Sequence, residues 1–218
     1  MKKQLLIFGS GPGISFATAK LFGTKGFAIT LVSRTESKLV LLCAELHDKG
    51  IEADYIVGDV GDTSTVKRLT EKFKKDDQFP DLILYNVSSM YMKDMLEQEW
   101  SEYLENVNVT AGGAFHLLNG ILPEYIKRGK GKLFFTGGGL ALNGNPEMST
   151  TSMGNAALRN LIQAAVKRVE GSSIHIAQLL VCGYVQDSDK KYNAAAIAQV
   201  YWSLFEQSPE EFDHEIIY

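Results

Sequence analysis

The 218-residue chain has little cysteine and little proline, two of the first and five of the second. Cys43 falls in an apolar helical pattern and Cys182 follows an apolar run, so two buried free thiols in a reducing compartment are expected rather than a disulfide framework. Blocks of like charge are missing too: 22 Lys and Arg are mixed with 26 Asp and Glu, for a net charge of −4. With no basic run to displace counterions from phosphates, nucleic acid is not an expected partner. Nor does any stretch reach the roughly 18 apolar residues of a bilayer crossing. The short apolar run behind Met1, Lys2 and Lys3 stops at Gly9, too early for a signal peptide. A soluble, cytoplasmic protein without a membrane partner is expected. His47, His116, His175 and His214 are scattered with no Cys, Asp or Glu at ligand spacing, which argues against a metal.

What the chain does have is alternation. Short Leu-, Ile-, Val- or Phe-rich runs over 4–8, 28–32, 52–57, 81–85, 132–136 and 174–180 are closed by Gly, Asp, Asn or Ser and read as buried strands. Helical periodicity falls between them, over 14–23, 36–49, 65–75, a long stretch of 100–128, and 155–169; the tail adds a helix over 194–207 and a strand over 214–218. Thr63 and Ser64 are candidate N-caps, and Gly23, Gly50 and Gly171 candidate left-handed helix ends. Such βαβ units predict a parallel sheet covered on both faces. No linker, repeat or low-complexity tract divides the chain, so residues 1–218 are expected to be one domain, with 187–192 a surface loop.

Gly9, Ser10, Gly11, Pro12, Gly13, Ile14 and Ser15 follow the first strand and open the first helix. Glycines there admit positive φ and let the main chain approach a pyrophosphate, which the helix N-terminus attracts. The plainer alternative is a structural glycine turn. The spacing Gly-x-x-x-Gly-x-Ser resembles the T-G-x-x-x-G-x-G loop of the short-chain dehydrogenase/reductase family, with Phe8 in place of the Thr and Ser15 in place of the last Gly. The resemblance runs on through most of the chain. Asp59-Val60 matches the D-V element at the adenine, Asn86 and Val87 fall in the D-x-L-V-N-N-A-G segment, and Val107-Asn108 matches the V-N of the central helix. Residues 131–135 match the strand before the active site. Val185 matches the stretch that touches the nicotinamide. The fold implied is a three-layer, Rossmann-type doubly wound α/β sheet.

In such folds an acid at the end of the second strand favours NAD, whereas an Arg accommodates the 2′-phosphate of NADP. The chain has Ser33-Arg34 and no acid there. A guanidinium and a hydroxyl suit a phosphate, so NADP(H) is favoured over NAD(H), unless Arg34 is an ordinary solvated residue.

In carbonyl-reducing members, a Tyr transfers the proton, a Lys four residues on lowers the Tyr pKa, a Ser orients the carbonyl and an Asn anchors a water. The matching positions hold Thr151, Asn155, Gly138 and Asn108. Only the Asn is kept. A threonine hydroxyl is a poor acid near neutral pH, and an amide brings no charge to change that. Tyr91 and Tyr184 are candidate replacement acids, or ordinary packing aromatics. Gly137, Gly138 and Gly139 form either a tight turn or a site whose N–H groups bind an oxyanion. Trp100, Tyr103, Val107 and Ala111 share a helical face; in the family such helices meet a second subunit, which implies a homodimer or homotetramer, though core packing fits equally.

Two functions therefore compete: an oxidoreductase moving a hydride between NADP(H) and a small carbonyl-type or imine substrate by a non-standard site, or a catalytically silent NADP(H)-binding sensor or scaffold. A sugar-nucleotide module fits less well, given Arg34.

Overall fold

The computed structural model describes residues 2–218; Met1 and the side chain of Thr63 lie outside that description. The elements are β1 (Gln4–Phe8), α1 (Ile14–Thr24), β2 (Ala28–Ser33), α2 (Glu36–His47), β3 (Ala53–Val57), α3 (Thr63–Asp76), β4 (Leu82–Tyr85) and α4 (Trp100–Val107). They continue with α5 (Gly113–Arg128), β5 (Gly131–Gly138), α6 (Ser149–Arg168), β6 (Ile174–Val181), α7 (Ala194–Glu206) and β7 (Glu215–Ile217). All seven strands pair in parallel in the order β3-β2-β1-β4-β5-β6-β7.

Each face of the sheet carries its own core. Phe8, Tyr85, Leu133, Phe135 and Ile176 meet Val66, Leu117, Leu158 and Ile162 of α3, α5 and α6. On the other face Leu5, Ile7, Leu31, Phe134 and Leu179 meet Phe22, Leu39, Leu46 and Tyr201 of α1, α2 and α7. A strand covered on both faces cannot alternate, and all eight residues of β6 are buried. Burying each such large apolar side chain contributes roughly 1.5–3 kcal/mol.

Several sequence expectations change. The cap of α3 is Asp62, whose side chain accepts from the Ser64 N–H, so Ser64 lies within the helix and is not its cap; the expectation for the Thr63 side chain falls outside the described residues. Gly50 and Gly171 take the expected positive φ, but Gly23 does not: it lies within α1 against Ile51, and Gly26 makes the turn instead. The long helix over 100–128 breaks at a π-turn, Asn108–Gly112, where the Tyr85 hydroxyl donates to the Val109 carbonyl at 2.8 Å. β5 runs on through Gly137 and Gly138, which pair in register with Leu180 and Val181, so those glycines are strand and not turn. Cys43 is buried as expected, whereas Cys182 is exposed.

Candidate dinucleotide cleft

The strand order reverses between β1 and β4, and their carboxyl ends open into a crevice, where parallel sheets of this kind hold ligands. Gly9 makes its near end. With φ at +76° it sits so close to β4 that a Cβ there would run into the Asn86 carbonyl, so only glycine fits. Ser10 donates its hydroxyl to the Ile7 carbonyl at 2.9 Å and accepts from the Val32 N–H at 3.1 Å, fixing the loop to β2.

Gly13 then starts α1 with no side chain to cap it, leaving the N–H groups of the first turn for an external acceptor. A Cβ on Gly11 or Gly13 would meet nothing within 4 Å. The open space forms a groove of about 280 Å³ lined by Gly11, Gly13, Ile14, Ser15, Asn86 and Val185. Uncapped helix N–H groups facing such a groove fit a pyrophosphate. Ser15, where a third glycine was expected, is built in: its hydroxyl donates to the Gly9 carbonyl at 2.8 Å and accepts from Asn86 Nδ2 at 2.7 Å.

Farther along the sheet edge, Arg34 lies at the end of β2, its Nη1 3.9 Å from Asp59 Oδ2 with both side chains largely exposed. Such a pair is worth little, so the guanidinium is free to turn to an anion. Asp59 Oδ1 also accepts from the Gly61 N–H at 2.9 Å, and Val60 is buried beside it.

In the other direction the groove widens, past Ile14, Asn86 and Val185, into a cleft of about 700 Å³ whose walls include Val87, Gly138, Thr151 and Asn155. This is where the family places its chemistry. Here every expected polar group is already engaged. Asn155 Oδ1 accepts from the Gly138 N–H at 2.9 Å and its Nδ2 donates to the Thr151 carbonyl at 2.9 Å, so its amide bridges α6 to β5. That bond also takes up the Gly138 N–H proposed for an oxyanion.

The Thr151 hydroxyl, 2 % exposed, accepts from the Tyr91 N–H at 2.9 Å and faces the Ser89 and Tyr91 carbonyls at 3.3 Å. It therefore staples the segment after β4 to α6. Two ladder bonds, from the Lys93 N–H to the Glu147 carbonyl and from the Met95 N–H to the Pro146 carbonyl, extend the staple.

Asn108 is not brought to the cleft. It is exposed, and its Nδ2 faces the Gly61 carbonyl at 3.4 Å. Asn106, which the sequence reading missed, is the buried one, donating to the Ser89 carbonyl at 2.8 Å. Of the replacement acids, Tyr91 turns away and donates to Glu102, which also pairs with Lys93 at 3.0 Å. That hydrogen bond raises the Tyr91 pKa, making it a weaker acid, and holds Glu102 down at about 2. Tyr184 does line the cleft, at its exposed rim. Met90, Leu140, Met148 and Cys182 complete the largely apolar wall; no motif marks them, because distant loops bring them together.

The short chain dehydrogenase sequence profile matches residues 3–196. An uncharacterized oxidoreductase of Thermotoga maritima is 24 % identical over 190 residues, covering 87 % of this chain and 73 % of that one. The human inactive hydroxysteroid dehydrogenase-like protein 1 is 24 % identical over 178 residues, 80 % of this chain and 54 % of that one. A metagenomic short-chain oxidoreductase solved in complex with NADP superposes with a TM-score of 0.88 at 17 % identity, covering 99 % of this chain and 96 % of that one. The chain belongs to the short chain dehydrogenase family.

Proposed function

We propose that the chain binds NADP(H) along this cleft and moves a hydride between it and a small molecule. The observation that carries the reading is the uncapped N-terminus of α1, facing an open groove that leads directly into the cleft. Gly9, Ser10, Gly11, Pro12, Gly13 and Ile14 would hold the pyrophosphate, Ser33 and Arg34 the 2′-phosphate, Asp59 and Val60 the adenosine, and Asn86, Val87 and Val185 the nicotinamide half. A bound nicotinamide supplies or takes up the hydride; the side chains here orient it and exclude water. NADP bound to the metagenomic relative supports this cofactor class, and Arg34 supports NADP(H) over NAD(H).

The second reading, a silent NADP(H)-binding sensor or scaffold, is favoured by the closed set of bonds at Gly138, Thr151 and Asn155. NADPH oxidation over small aldehydes, ketones, quinones and imines separates the two. Turnover of any of them supports the oxidoreductase; tight NADPH binding with no turnover supports the sensor; binding of neither NADPH nor NADH overturns both. We further propose a homodimer or homotetramer through the stretch that opens at Trp100, where Ala111 of the expected Trp100, Tyr103, Val107 and Ala111 face is buried but Trp100, Leu104 and Phe115 are exposed, and a cytoplasmic setting, consistent with two unpaired thiols.

A further inference from the structure

Resting on the oxidoreductase reading, we propose that the acceptor reduced in this cleft is a preformed iminium cation, and not a carbonyl compound. A carbonyl that accepts a hydride becomes an alkoxide and needs a proton from a positioned acid. Among the described residues lining the cleft there is no Lys, Arg, His, Asp or Glu. The Thr136 hydroxyl shares its bond with the Tyr201 hydroxyl at 2.7 Å, Thr151 is held by the backbone of 89–91, and both polar atoms of Asn155 are taken. Ser88, Cys182 and Tyr184 carry the remaining O–H and S–H groups, all three exposed at the opening, with no cation on the wall to activate them.

An iminium ion removes the need for the acid. Its carbon gains the hydrogen and electron pair of the C–H bond broken on the reduced nicotinamide, while the C=N π pair moves onto nitrogen. The iminium is reduced by two electrons to a neutral amine, the dinucleotide is oxidised, and no proton moves.

The surroundings favour such a cation. The ammonium that the family places at position 155 is replaced by a neutral amide, so nothing on the wall repels positive charge. A dinucleotide phosphate in the groove is strongly anionic and attracts it. The Tyr184 ring and the Met90 and Met148 thioethers, all lining the cleft, offer soft, polarizable contacts to an organic cation.

The test compares N-methyl-3,4-dihydroisoquinolinium, permanently charged, with 1-tetralone, a neutral ketone of like shape. The intact protein should consume the iminium and NADPH one to one above the protein-free rate, with a rate flat from about pH 6 to 9, where no protein acid takes part. It should leave the tetralone unreduced. Independently of turnover, calorimetry on the NADPH-loaded protein, whose nicotinamide ring is neutral, should show the non-reducible N,N-dimethyl-tetrahydroisoquinolinium binding at least about tenfold tighter than 1-tetralone. Leu140→Lys, which puts an ammonium at a half-buried position on the wall, should cancel that preference. Reduction of the tetralone at a comparable rate, equal affinity for cation and ketone, or an iminium rate at background in protein that binds NADPH would each overturn the substrate assignment alone. Failure to bind NADPH overturns the cofactor reading and the assignment with it.

Discussion

The two ends of the cleft use the same kinds of atoms in opposite ways. At Gly11, Gly13 and Ile14, backbone N–H groups are left without partners beside an open groove. At the other end, the Gly138 N–H, the Thr151 hydroxyl and both polar atoms of the Asn155 amide, four groups at the positions of the family's relay, are bonded to one another or to neighbouring backbone. A site reveals itself by polarity the fold does not satisfy, and on that measure only the first end is built to take a ligand's charge. The two ends are also coupled differently to stability. The first holds its shape through Gly9 and the Ser10 and Ser15 hydroxyls and leaves its remaining N–H groups open, whereas the second is itself a tertiary fastening between α6, β5 and the segment after β4.

Breaking the first end should have the largest effect. Gly9→Val forces a side chain into the Asn86 carbonyl at a positive φ, and thermal unfolding should show a loss of about 3 kcal/mol or more. A Cβ on Gly13 would meet nothing within 4 Å and opens on the groove, so in Gly13→Glu the melting temperature should hold within about 2 °C. The introduced carboxylate would stand at the groove proposed for the pyrophosphate, and NADPH affinity by fluorescence titration should fall roughly 100-fold. Arg34→Ala should weaken NADPH about tenfold while leaving NADH within about twofold.

Thr151→Val sharpens the comparison from the other end. It keeps the shape, removes the staple to 89–91 and should cost about 1–2 kcal/mol in denaturant unfolding, with NADPH affinity changed less than about threefold. Acid gives the smallest and most local effect. The Tyr91 hydroxyl, the Glu99 N–H and Lys93 hold Glu102 at about 2, below its ordinary value. The stability it lends is therefore full above the usual carboxylate range and fades as pH falls from about 4.5 toward 2. Glu102→Gln should flatten the unfolding curve in that window. A separate loss belongs to His175, held by burial at about 4. The unfolded chain takes up that proton first, so this contribution is lost between about pH 6.5 and 4 and should persist in Glu102→Gln.

The sheet, its order of elements and the cradle were legible because they rest on local signals: buried runs closed by turn residues, and glycines at fixed offsets before a helix. The state of the reaction end was not. That Thr151 and Asn155 replace the Tyr and Lys could be read by resemblance, but that their polar atoms are consumed depends on Tyr91 and Gly138, far away in sequence. The helical period runs on without a break through Asn108, the residue that matches the family's V-N. The π-turn that begins at it takes an extra residue per turn and shifts the faces, so Asn106 holds the buried position instead. Cys182 follows the fully buried β6, and its exposure is set by the rim it forms, not by its neighbours in sequence.

The most direct test is to titrate NADPH into Gly13→Glu and Thr151→Val side by side with the unaltered chain. The contrast between an open and a closed end predicts that Gly13→Glu loses roughly 100-fold in affinity while Thr151→Val stays within about threefold. Equal losses in the two variants, or binding that neither variant alters, would contradict it.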